Sequence, residues 1–191
     1  MITIDIRFTD QMIRLLQAMV GKKMIRYKCD PFVYSPTVFG IAGIITENGS
    51  YAITNTIEVM DHFGTKEDVA VFRFEERPET SIKSLIDDVT MVDIPVGRVI
   101  REIHVINEHQ MLYRSNDQTY DVWLTRGIIF IMDDGLEIAF EKNVWFSEMI
   151  TVDRGEHLID KFTPVSEFSD DWDEPYHGKC ERDSLIIREQ I

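Results

Sequence analysis

The chain has 191 residues, 44% of them hydrophobic and 28% charged, with a formal net charge of −14. This is a globular composition, long enough for one large domain or two small ones. Its longest apolar runs are too short to span a bilayer, and its negative field repels nucleic acid, so neither membrane insertion nor direct DNA or RNA binding is expected.

The charge is uneven. Residues 1–78 carry 10 acids and 9 bases, leaving 24 acids and 11 bases for residues 79–191, a balance of −1 against −13. An imbalance on that scale either keeps the protein soluble or attracts a basic partner within a Debye length. The start, "MITIDIRFTD", lacks a basic segment followed by an apolar run, so a cytoplasmic protein is expected. Cys29 and Cys180 have no CxxC spacing and read as two unpaired thiols.

In chain order, the first regular element is a helix. In "FTDQMIRLLQAMVG", Phe8, Met12, Leu15, Leu16 and Met19 recur at helical spacing, Thr9 can cap the start and Gly21 suits the stop. "TVFGIAGIIT" and "YAITNTI" are β-branched runs joined through Asn48-Gly49, a hairpin signature. "DVAVFRFEE" alternates with period two, as a strand does. A shorter helix is expected from Thr80 or Ser81, with Ile82, Leu85, Ile86 and Val89 as its apolar face. "TYDVWLTRGIIFI" and "LEIAF" form a second hairpin through Asp133-Asp134-Gly135, and "EMITVDRG" a further strand. The tail "KCERDSLIIREQI" is a third helix candidate.

These pieces repeat. "VGKKMIRYK" from Val20 matches "VGRVIREIH" from Val96, and "GIIT…NGSYAITN" from Gly43 matches "GIIF…DDGLEIAF" from Gly127. The offset drifts from about 76 to about 86 residues while element order is kept, as expected of a duplication with loops of different length. The expected fold is therefore α+β and mostly antiparallel. It has two helix-plus-β-meander units, residues 1–78 and 79–162, followed by an acidic extension, residues 163–191. The order of elements in each unit is similar to that of small, strongly bent SH3-like or Sm-like barrels. That likeness implies nothing about function.

No phosphate loop, dinucleotide fingerprint, nucleophile elbow or zinc-protease motif is present, and no cofactor or metal is expected. His104 and His109 flank Glu108 but stand five residues apart, which places them on opposite faces of a strand. Asp61-His62 resembles a base with its orienting acid but sits in a loop with no constrained nucleophile. Asp133 and Asp134 read as turn residues. Trp123, Phe140, Trp145 and Phe146 read as core of the second unit.

"FSDDWDEP" stands out, with Asp170, Asp171, Asp173 and Glu174 around Trp172. A calcium loop from Asp171 fails because Pro175 and Tyr176 take its fifth and sixth positions. Two readings remain: Trp172 folds back to staple the tail onto the second unit, or these five residues dock a partner, the indole filling a pocket and the acids steering a basic surface. The leading expectation is a non-catalytic binding protein that engages a basic protein surface, in the manner of inhibitors and immunity proteins, some of them nucleic-acid mimics. An enzyme using Asp61, His62, His104 and Glu108 between the units is one alternative. A homo-oligomer packed through "SLIIREQI" is the other.

Overall fold

Alternating and β-branched runs punctuated by glycine turns make this a protein of strands. The computed structural model describes residues 2–32 and 35–189. In chain order it has β1 (Ile2–Ile6), α1 (Asp10–Met19), β2 (Lys23–Cys29), β3 (Thr37–Phe39), β4 (Ile41–Thr46), β5 (Ser50–His62) and β6 (Thr65–Glu76). Then follow β7 (Val92–Arg114), β8 (Asp117–Met132), β9 (Glu137–Lys142), β10 (Met149–Gly155), α2 (Ser166–Asp170) and β11 (Tyr176–Arg188). One sheet takes the order β3-β10-β9-β8-β7-β2-β4-β5-β6, with β1 added beside β8 and β11 beside β7. Every pairing is antiparallel except β1 with β8. The α+β, mostly antiparallel expectation holds.

The first helix forms where its pattern places it. The Thr9 hydroxyl accepts from the Met12 amide at 3.4 Å. The chain leaves the helix through Gly21 at φ +79°, whose amide then donates to Ile100 at 2.8 Å. Phe8, Leu16 and Met19 go into the main core, and each such side chain contributes about 1.5–3 kcal/mol of burial. That core draws on both halves of the strand order: Tyr27, Phe72 and Phe74 meet Ile100, Phe130 and Phe140, with Phe8 stacked on Phe72 at 5.7 Å.

Three expectations change. The helix from Thr80 is only a 3-10 turn, Glu79–Ser81. Ile82 alone finds a pocket, among Ile41, Ile45 and Ala52, while Leu85 and Ile86 stay exposed, so the predicted apolar stripe has no surface to bury and the helix no reason to form. The tail is a strand. β11 pairs with β7 over its full length, and Ile187 enters the main core where a helix would have given up that ladder. Of the aromatics assigned to the core, Phe140 is buried, Trp123 and Trp145 are half-buried and Phe146 is 54% exposed.

β7 organises the rest. Its first half pairs with β2 and its second half with β8, while β11 runs along its other side. The β7–β8 ladder slips at three places, and at the middle one Ile106 faces Gly127 and Asn107 faces Thr125, leaving Arg126 without an opposite residue. A Cβ on Gly127 would lie 2.5 Å from the Phe140 carbonyl oxygen and 2.8 Å from the Phe162 ring. The bulge therefore requires glycine there, and it turns the Arg126 side chain to the Glu108 face of the hairpin.

Candidate functional site

Alternation along β7 puts Glu102, His104, Ile106, Glu108 and Gln110 on one face and Asn107 and His109 on the other, so the two histidines are separated as their spacing predicts. On the first face a cluster of charges is buried. Glu108, 1% exposed, accepts from Arg126 Nη2 at 2.7 Å, Arg182 Nη2 at 2.6 Å and Gln110 Nε2 at 2.9 Å. Burial works to raise its carboxyl, but the two guanidiniums outweigh it and hold the group below the ordinary range, so it stays ionised. Arg182 also donates to the Thr163 carbonyl, and Arg126 to those of Lys142 and Asn143.

Lys142 is 2% exposed and among the described residues reaches only the carbonyls of Asn143 and Val144, at 3.4 and 3.3 Å, with Nζ 5.7 Å from the Trp145 ring centre. Burial chiefly, and Arg126 next, push its ammonium down to about 7. Neighbouring Glu141 is raised by its burial, against a hydrogen bond that the Thr163 amide donates to its Oε1 at 2.8 Å. Between this cluster and the residues around α2 lies a cavity of about 50 Å³, bounded by Glu108, Gln110, Arg126, Trp145, Phe168 and Cys180. It has room for a few water molecules, which suits the Arg126 Nε, without a protein partner among the described residues. Burial, with Glu108 beside it, pushes the Cys180 thiol up to about 12, and burial does the same to Cys29, so neither is an activated nucleophile.

Over the cavity sits an aromatic cluster brought together by four separate segments. The β5–β6 hairpin ends in His62 and Phe63, the latter at φ 51°, with Gly64 donating to Asp61 Oδ1 at 2.9 Å. Phe63 meets Tyr120 at 5.0 Å, Trp172 at 5.1 Å and Phe168 at 5.7 Å, while His62 meets Trp145 at 4.9 Å and Phe146 at 4.7 Å. Burial first lowers the His62 imidazole, and burial first, then Asp61, raises the Tyr120 phenol. Trp172 is half-buried between Phe63 and Phe168 and closes over Gly178, where a Cβ would lie 2.7 Å from its ring. Its anchor is therefore a hairpin tip from the first 78 residues together with Phe168 of its own segment.

The acids of that segment, Asp170, Asp171, Asp173 and Glu174, stay exposed. The Ser115 amide donates to the Pro175 carbonyl at 2.8 Å, which brings the β7–β8 turn and Asp117 alongside. Among the described residues, none of these five acids forms an ion pair, nor do Asp61 and Glu67 of the hairpin tip. The exposed cations of the same segments are Lys66 and Arg114. Val59, Val144 and Phe146 add exposed apolar surface close by.

The residues of the catalytic alternative are not gathered. Asp61 caps the hairpin turn, His62 lies among aromatic rings, His104 bonds Glu102 and Glu108 is held by two arginines. Among the described residues no group of three or more His, Cys, Asp or Glu side chains is placed to hold a metal ion, and no helix is long and apolar enough to cross a membrane. Sequence reasoning missed Arg126, Lys142, Arg182 and Phe63. The available signals were "TRG", an arginine before glycine inside an apolar strand, and "DHFG", an aromatic before glycine at a hairpin tip. No family model, curated protein or solved structure matches the chain.

Proposed function

We propose that this is a non-catalytic binding protein whose acidic, aromatic end engages a basic surface on another protein, in the manner of an inhibitor or immunity protein acting in the cytoplasm. One observation carries the reading: acids from three chain segments, without ion-pair partners among the described residues, surround an aromatic cluster that leaves Phe146 exposed. Some carboxylates are committed to the fold, as Asp93 is to Arg26 and Asp134 to Arg98, while others such as Asp87, Asp88 and Asp133 are also unpaired among the described residues, so what marks this end is the aromatic cluster beside its acids. Unpaired acids around an apolar anchor give a partner steering from the rim and binding energy from the centre. Trp172 supports the anchor from within the cluster, and Asp170, Asp171, Asp173 and Glu174 form part of the rim.

The same reading extends to a duplicated fold. The meander β2-β4-β5-β6 parallels the meander β7-β8-β9-β10 in order, and β2 pairs with β7 through Lys23 opposite Val99. Those two positions are equivalent at the 76-residue offset between the "VG" segments, which supports a pseudo-twofold relation between the units. Gly40, at φ +68°, leads the chain from β3 directly into β4, but among the described residues no ladder joins β3 to β6, so the sheet is open and not the closed barrel that the element order suggested.

Affinity capture from the native host at low and high salt tests the function. The reading expects a basic protein that is retained at low salt, released at high salt, and not retained by the D170N/D171N/D173N/E174Q variant. Equal retention by that variant would overturn it.

A further inference from the structure

β11 is paired on one side only. Tyr176–Arg188 face β7 throughout, and among the described residues no strand lies along the opposite edge. A row of free N–H and C=O groups of that length is a template for another strand. Its side chains decide which strand fits. His177, Lys179, Glu181, Asp183 and Leu185 share one face, and Cys180, Arg182, Ser184, Ile186 and Arg188 the other.

A second copy can continue the sheet antiparallel about a twofold axis perpendicular to it, which centres the pairing on one residue and keeps each face on its own side. Most centres fail on charge. Centring on Lys179, Glu181 or Asp183 sets that residue against itself, and Arg182 sets Glu181 against Asp183. Leu185 sets Arg182 against Arg188, Ile186 sets Asp183 against Glu189, and Ser184 offers only Lys179 against Glu189, which lies past the end of β11 at Arg188. Centring on Cys180 sets Lys179 against Glu181 and His177 against Asp183, each twice by symmetry, with no like pair. Opposite charges directly across a ladder stabilise it and like charges destabilise it.

We propose that a second copy of this chain pairs antiparallel along the free edge of β11 with the twofold at Cys180. Within one chain Lys179 and Glu181 already bond each other at 2.5 Å, so the dimer turns an intrachain pair into a four-membered charge row. The interface uses main-chain bonds and this row, and its end at Tyr176 adjoins the acidic end proposed for a basic partner.

Sedimentation equilibrium of the full chain tests it. The expected mass is twice 22.3 kDa at high concentration, with dissociation on dilution. Lys179→Glu places like charges opposite each other at two positions and weakens the dimer at least tenfold, while K179E/E181K restores it. Far-UV circular dichroism unchanged between the variants shows that the fold is intact. A mass of 22.3 kDa at every concentration would overturn the proposal. So would a K179E dimer as tight as the parent, or a dimer that K179E/E181K fails to restore. A dimer lost in Leu185→Asp yet indifferent to K179E would place the contact on the exposed Leu185 and Ile186 instead.

Discussion

Replacing Glu108 with glutamine is the sharpest test of the buried charge cluster. The carboxylate is 1% exposed and neutralises two guanidiniums, Arg126 and Arg182, whose side chains are 10% and 17% exposed. Glutamine keeps the volume and one acceptor oxygen. It removes the charge and turns an NH2 donor toward groups that only donate, so both arginines are left without their counter-ion. Breaking a buried pair in this way costs about 3–5 kcal/mol. At roughly 2–4 °C per kcal/mol for a chain of this size, Tm falls by about 6–20 °C. Urea unfolding followed by tryptophan fluorescence measures the loss, with Asp134→Asn as the control. Asp134 pairs with Arg98 in the open and should cost under about 1 kcal/mol. If Glu108→Gln also cost under about 1 kcal/mol, the cluster would be solvated and not a buried ion network.

Lys142 makes stability depend on pH. Its folded pKa of about 7 lies below the ordinary 10.5, so between these values the unfolded chain holds a proton that the folded chain has released, and stability rises with pH through that window. The urea midpoint should climb between about pH 7 and pH 9, and Lys142→Met should remove most of the climb while raising stability at pH 7. Gly178→Ala drives a methyl group against the Trp172 ring at 2.7 Å and the Phe168 carbonyl at 2.9 Å. It should cost about 1–3 kcal/mol and red-shift part of the tryptophan emission as the segment around α2 detaches. Phe146→Ser removes an exposed ring, so it should leave the unfolding midpoint within about 0.5 kcal/mol while abolishing partner retention in the capture experiment.

Local signals carried much of the fold. Thr9 and Gly21 bracketed a helix because a cap and a positive-φ stop are local chemistry, and both hairpins followed from Asn48-Gly49 and Asp134-Gly135 for the same reason. The helix from Thr80 failed because periodicity offers a face and only tertiary structure supplies something to cover it. The tail failed likewise: Leu185, Ile186 and Ile187 suit either state, and the deciding fact was the edge of β7. At the site, Trp172 and its acids were legible as a composition anomaly. Phe63 and Arg126 were not, because a hairpin tip and a bulged arginine acquire meaning only when β5–β6 and β7–β8 bring them beside residues 143–148 and 163–175.

Hydrogen exchange on the complex with a captured basic partner tests the docking end most directly. The proposal predicts slowed exchange at the β5–β6 tip, in residues 143–148 and across residues 168–176, with the remaining edges unchanged. Protection confined to other strands, with affinity indifferent to salt, would contradict it.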